Sequence, residues 1–222
     1  MEGKKILTER NILFLYIIMF SVGIAGHLIG QLKGFIIPLT PFTLLFLGTV
    51  TILSSGIGRN VTPSLSNRNF LIWFAVTYVV TFGLEAIGVK TGLVFGAYTY
   101  GDTLGTKLFE VPLIIGFNWV LVILGSVILA AKFTSNKYAV AFITAIIAVL
   151  FDIILEPVAI SLDYWQWSGD AIPLQNYIAW FVISFFAAFY YGSMKIEFKS
   201  ISPVHYLAAQ AVFFMILLIF MN

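Results

Sequence analysis

The sequence predicts an all-α, polytopic membrane protein of seven transmembrane helices, with the N-terminus cytoplasmic and the C-terminus outside. Three observations lead there. The 222 residues are 60% hydrophobic and 10% charged, with a mean hydropathy of +1.01, a balance foreign to soluble domains of this size. Apolar runs of about 20 residues, the length that crosses a bilayer, recur along the whole chain. Lys and Arg are unevenly shared among the connections, which sets orientation. Residues 1–222 are expected to form one integral-membrane domain with no separate soluble part.

The spans fall at about 12–32, 39–58, 70–88, 110–131, 138–160, 174–192 and 203–221. The first is long and lacks a small-residue cleavage site, so it reads as a helix and not as a signal peptide. Pro38 and Pro41 flank the start of the second. Arg59, Asn60 and Pro63 fill the next connection, Lys132 to Lys137 the fifth, and Ser200 and Pro203 precede the last. With the N-terminus inside, the inner segments hold Lys4, Lys5, Arg10, Arg59, Arg68, Lys132, Lys137, Lys195 and Lys199. The outer ones hold only Lys33, Lys90 and Lys107. The two long connections, 89–109 and 161–173, then face outward, and loops of that length are often functional.

Composition also excludes. There is no Cys, hence no disulfide, thiol nucleophile or cysteine metal site. The net charge of +2 is small, and no nucleic-acid partner is expected. No metal site is expected either. The expected surroundings are membrane lipid.

Within the spans the polar residues gather at one depth. Asp152 and Glu156 lie four apart and so share a helix face. At 1.5 Å per residue, His27, Glu85 and Asp152 each lie about 21–22 Å from the inner ends of their helices, with Glu156 slightly higher. Asn118 and Trp180, on descending helices, lie about 10 Å below the outer surface. Acids at such depth are costly and mark function. No Lys or Arg in the spans stands out as a partner, and burial without a cation favours the neutral acid. A neutral carboxylic acid in an apolar pocket is a general acid. The plainer reading is that Asn118 and His27 hydrogen-bond helices together, that Trp180 only packs or belongs to an interfacial belt, and that Glu156 snorkels. Pro157 cannot donate to the carbonyl of Ile153 and disfavours helix at Glu156, so the helix is expected to kink or end there.

The outer connections are rich in aromatics. The first runs from Thr91 to Asp102 through Phe95, Tyr98 and Tyr100; the second holds Asp163, Tyr164, Trp165, Gln166 and Trp167. Tyr and Trp are ordinary at an interface, but aromatic faces beside acids also stabilise cations without attacking them. The combination suits a carbocation formed on a lipid-soluble alkene.

The run Glu85-Ala86-Ile87-Gly88 to Phe95-Gly96-Ala97-Tyr98-Thr99-Tyr100, followed by Leu104-Gly105, Val111-Pro112-Leu113 and Trp119, resembles the carotenoid hydratase family, the bisanhydrobacterioruberin hydratase-like proteins. Asp152, Glu156-Pro157 and Tyr164-Trp165-Gln166-Trp167 resemble a second block of that family, and Ile172-Pro173-Leu174, Asn176 and Trp180 a third. The similarity covers about 85–180. The chain departs from the family pattern at Glu156-Pro157, where Asp-Pro is expected, and at Asn118, where a small residue is expected.

The resemblance implies cofactor-free hydration of a terminal carbon–carbon double bond of an acyclic carotenoid end. An acid protonates the alkene, a tertiary cation forms, and water captures it. The substrate is lipid-soluble, and other enzymes of carotenoid synthesis are possible partners. In this scheme Asp152 is the acid, Glu85 holds water and Glu156 relays protons. Tyr98, Tyr100, Asn118, Trp119, Tyr164, Trp165, Trp167, Asn176 and Trp180 line the substrate.

A membrane carotenoid cyclase, a proton-coupled transporter and a carotenoid-binding protein without activity remain open. A magnesium-dependent prenyltransferase is disfavoured because it wants clustered aspartates. A retinal protein needs a lysine in the last span, and 203–221 has none.

Overall fold

A computed structural model describes residues 8–54, 68–169 and 171–221. Lys4, Lys5, Arg59, Asn60 and Pro63, used above for charge and turns, lie outside the described residues. The helices are α1 (Glu9–Leu28), α2 (Gly30–Ile36), α3 (Thr40–Leu53), α4 (Arg68–Thr91), α5 (Leu113–Ala130), α6 (Lys137–Ser161), α7 (Leu174–Ser193) and α8 (Ser202–Met221). A 3-10 turn, Ile37–Leu39, joins α2 to α3. Among the described residues six helical stretches are long and apolar enough to cross a membrane: α1, the run from α2 through α3, α4, α5, α6 and α8. The remaining expected span is the 20-residue α7, less apolar because Gln175, Asn176 and its tyrosines dilute it.

Local chemistry explains where helices begin. Asn136 caps α6, its Oδ1 accepting from the Tyr138 and Ala139 amides at 2.9 and 3.3 Å. Thr8 caps α1 through the Asn11 amide at 3.2 Å. Pro112 and Pro173 stand in extended conformation directly before α5 and α7. Two expectations need correcting. The predicted first helix ends at Leu28 and not near residue 32, because extended Ile29 breaks it within a stretch weakened by Gly26, Gly30 and Gly34. The helix carrying Pro157 does not end there but continues to Ser161. Proline removes one hydrogen bond of α6 without stopping it.

α5 is the hub. It is 72% buried, against 22–44% for the other candidate spans, and packs against α3, α4, α6, α7 and α8. A helix apolar all round suits such a place. The other spans turn large apolar side chains outward, among them Phe14, Phe42, Val79, Phe186 and Phe220, a surface for lipid.

Both long connections emerge at one end of the bundle and pair. Strand β1 (Tyr98–Tyr100) runs antiparallel to β4 (Trp165–Trp167), with Tyr98 opposite Trp167 and Tyr100 opposite Trp165. β2 (Lys107–Leu108) and β3 (Val111–Pro112) form a tight hairpin between them in sequence, turning through Phe109 and Glu110 at positive φ. The Lys107 ammonium, 2.8 Å from Asp102, also donates to the Tyr100 carbonyl at 2.9 Å. The ribbon is held close by Gly101: a Cβ there would meet the Asp163 carbonyl oxygen at 2.1 Å.

Close approach also governs the bundle. A Cβ on Gly125 of α5 would lie 2.6 Å from the Pro203 carbonyl oxygen and 2.9 Å from Leu207 Cβ on α8. Gly125→Leu is expected to cost about 1–3 kcal/mol, read as a lower unfolding temperature in detergent. Gly83→Ala on α4, with open space at its Cβ, is the matched control and is expected to leave stability unchanged or slightly raised. Equal stability of the two variants would sink this account of α5–α8 packing.

Candidate active site

Period-two geometry makes the ribbon a polar lid with an aromatic underside. Tyr98 and Tyr100 point to one face of β1, and Trp165 and Trp167 to one face of β4. Thr99 and Gln166 between them are exposed. The rings pack across the pair, tilted for Tyr98–Trp167 with centroids 5.1 Å apart and edge-on for Tyr100–Trp165 at 6.0 Å.

Beneath the ribbon two carboxylates face one cavity. Glu85 of α4 accepts from Trp119 Nε1 at 2.8 Å through Oε1. Its Oε2 accepts from the Tyr100 hydroxyl at 2.8 Å and from the Tyr98 hydroxyl. Glu156 of α6 accepts from Trp165 Nε1 at 3.0 Å and Trp167 Nε1 at 2.9 Å through Oε2, and from Asn176 Nδ2 at 3.1 Å through Oε1. Each carboxyl group thus receives three hydrogen bonds, all from neutral groups; Glu156 Oε1, with a single donor, keeps room for a proton. The tyrosines remain donors: burial first, and the Glu85 carboxylate next, push both phenols above their ordinary range. Among the described residues the ion pairs are Lys107–Asp102 and Lys199–Glu197, so no cation meets these acids.

The cavity measures about 50 Å³, a few times the roughly 10–15 Å³ that one water needs. Aromatic faces wall it, including Trp119 and Trp180, stacked at 3.8 Å. Tyr98, Tyr100, Asn118, Trp119, Tyr164, Trp165, Trp167, Asn176 and Trp180 all line it. Of the residues read at one depth, Glu85, Asn118, Glu156 and Trp180 thus share one chamber.

Asp152 is placed differently. It is fully buried and does not line the chamber. Its Oδ2 accepts from Asn176 Nδ2 at 2.7 Å, while Oδ1 has no hydrogen-bond partner among the described residues. The i,i+4 pair is real, but one Asn176 amide bridges the two acids, and only Glu156 reaches the open space. Among the described residues His27 makes no hydrogen bond to another helix: its Nδ1 donates to the Gly23 carbonyl of its own helix at 2.7 Å. It borders a neighbouring cavity.

Sequence reasoning missed Gln210 of α8, buried and lining the chamber. Its Nε2 donates to Asn118 Oδ1 at 3.0 Å. The signal existed, a lone amide inside an apolar span, the same signal that singled out Asn118. Leu44 of α3 and Phe214 of α8 also line the chamber, so the site extends beyond the 85–180 region of resemblance.

The comparisons with known proteins agree with that wider extent. The family described as carotenoid biosynthesis protein matches residues 40–222, from α3 to the end of the chain. A protein of Haloarcula japonica named bisanhydrobacterioruberin hydratase is 26% identical over 187 residues, covering 79% of this chain. The chain spans 62% of that relative's length. No solved structure matches. With the match running through every helix that contributes a chamber residue, the chain belongs to the carotenoid biosynthesis protein family.

Proposed function

We propose that the protein hydrates a terminal carbon–carbon double bond of an acyclic carotenoid end. The observation that supports this most is the facing of Glu85 and Glu156 across one small, aromatic-walled chamber. The name of the Haloarcula relative points the same way. Chemically, proton transfer and water suffice, so no cofactor is invoked.

Glu156 delivers the proton, because it and not Asp152 borders the open space. The new C–H bond forms at the less substituted alkene carbon, and the positive charge develops on its neighbour. Glu85, fixed by Trp119, Tyr98 and Tyr100, balances that charge, and the rings of Trp119 and Trp180 face it. Water then captures the cation as a tertiary alcohol. Asp152 holds Asn176, and through it the rotamer of Glu156.

Glu85→Gln and Glu156→Gln are expected to lower hydrated product about a hundredfold or more. Asp152→Asn, whose amide oxygen still accepts from Asn176, is expected to lose about tenfold. Pigment mass spectrometry in a lycopene-producing host reads all three. An Asp152→Asn loss as deep as that of Glu156→Gln, at normal protein level, would move the acid to Asp152. An isomeric product lacking added water would make the protein a cyclase.

The same reading includes seven spans, with α7 the sixth, in a prokaryotic cytoplasmic membrane, the N-terminus inside and the ribbon outside. It rests on the Lys and Arg bias. The absence of Cys makes the test clean. Gly169→Cys, in exposed space beside the ribbon, is expected to react with an impermeant maleimide in intact cells. Ser135→Cys, exposed between α5 and α6, is expected to react only after the cells are opened. The reverse pattern would invert the topology.

A further inference from the structure

Beside the chamber lies a second cavity of about 150 Å³ between α1, α3 and α8. Leu44, Tyr164, Gln210 and Phe214 line both spaces, so the two adjoin. The walls of the second are mostly apolar, including Met19, Phe20 and Phe213. An entirely apolar cavity of this size stays dry.

This one is not entirely apolar. Three of its lining residues, His27, Thr40 and Gln210, each carry a buried polar atom with no hydrogen-bond partner among the described residues: His27 Nε2, Thr40 Oγ1 and Gln210 Oε1. His27 and Gln210 are only 3% and 2% exposed. The chemistry of these atoms is definite. The Gly23 carbonyl can only accept, so His27 Nδ1 carries the hydrogen in its 2.7 Å bond. In the neutral ring Nε2 is then an acceptor. Gln210 commits its Nε2 to Asn118, leaving its carbonyl oxygen, again an acceptor. The Tyr164 phenol also approaches Thr40 Oγ1. Leaving buried polar atoms unpaired is costly. Two acceptors and a hydroxyl around one cavity call for a small ligand that donates twice, and water is that ligand.

The chamber needs such a supply. Its carboxylates already receive six hydrogen bonds from indole, phenol and amide donors. Gln210, at the junction of the two spaces, carries an open acceptor.

We propose that His27, Thr40 and Gln210 form a water-holding site that feeds the chamber, with His27 Nε2 as the base that takes the proton lost by the attacking water. The inference rests on the hydration reading above. After Glu156 has given its proton to the alkene, the water on Gln210 attacks. One C–O bond forms and one O–H bond breaks. The released proton passes through a second water to His27 Nε2. Its return to Glu156 through water in the adjoining cavities closes the cycle, and the net change is one water added across the double bond.

Purified protein supplied with lycopene in D₂O separates the two halves of the reaction. Protonation alone, followed by loss of a proton, leaves deuterium in recovered substrate. Capture by water gives hydrate. In Gln210→Met and His27→Phe, hydrate is expected to fall about tenfold or more while deuterium exchange stays within about twofold of the wild type. His27→Gln, which keeps an acceptor but not a base, is expected to fall between, and it serves as the histidine test should His27→Phe fail to fold. Unchanged hydrate in Gln210→Met or in a folded His27 variant overturns the proposal. So does equal loss of hydrate and exchange in variants with wild-type unfolding temperature, the mark of a merely structural role. A wild type that exchanges deuterium without ever forming hydrate overturns the hydration reading itself, and this site with it.

Discussion

Everything at this site depends on satisfying two buried carboxylates without a cation. A buried acid lacking partners destabilises the fold by several kcal/mol. Here the partners are six hydrogen bonds from indole, phenol and amide groups. Four of the six donors sit on the β1–β4 ribbon. The ribbon is therefore both a roof and the electrostatic complement of α4 and α6. Its register matters because a slip of one residue would turn both pairs of rings outward. Gly101, which lets the Asp163 backbone come close, fixes that register.

The choice of donors has a chemical consequence. A Lys or Arg would satisfy Glu85 or Glu156 equally well but would oppose a cation forming between them. Neutral donors fix the carboxylates while leaving their negative charge available to a reacting centre. The aromatic rings add negative faces without lone pairs basic enough to trap the cation. The proposed water site draws on the same contrast: the chamber acids already accept six hydrogen bonds, while unpartnered polar atoms lie next door, on α1, α3 and α8.

Much of the fold was legible. Span positions follow from apolar runs; the structure adds what sets their starts, the Asn136 cap of α6 and the prolines before α5 and α7. Errors arose where local signals are weak or ambiguous. The break at Ile29 lies in a glycine-containing apolar stretch that reads as continuous, and Pro157 sits inside α6, which packs against both α7 and α8. The strands in the loops were not anticipated, although Tyr98-Thr99-Tyr100 and Trp165-Gln166-Trp167 alternate aromatic and polar as half-buried strands do.

The sequence by itself determined that the protein is helical and suited to a membrane, that its acids lie at one depth, and that aromatic loops lie above them. These follow from composition and from the fixed rise of a helix. Only the tertiary structure decided which acids share open space, since rotation of a helix about its axis is invisible to depth. That rotation turns Glu85 and Glu156 into the chamber and leaves Asp152 behind Asn176. It also brings in Gln210 and places His27 beside the chamber, because α8 packs against the hub and α1 packs against α8. The acid pair that stood out in the sequence thus divides, Glu156 facing the chamber and Asp152 buried behind the Asn176 amide that bridges them.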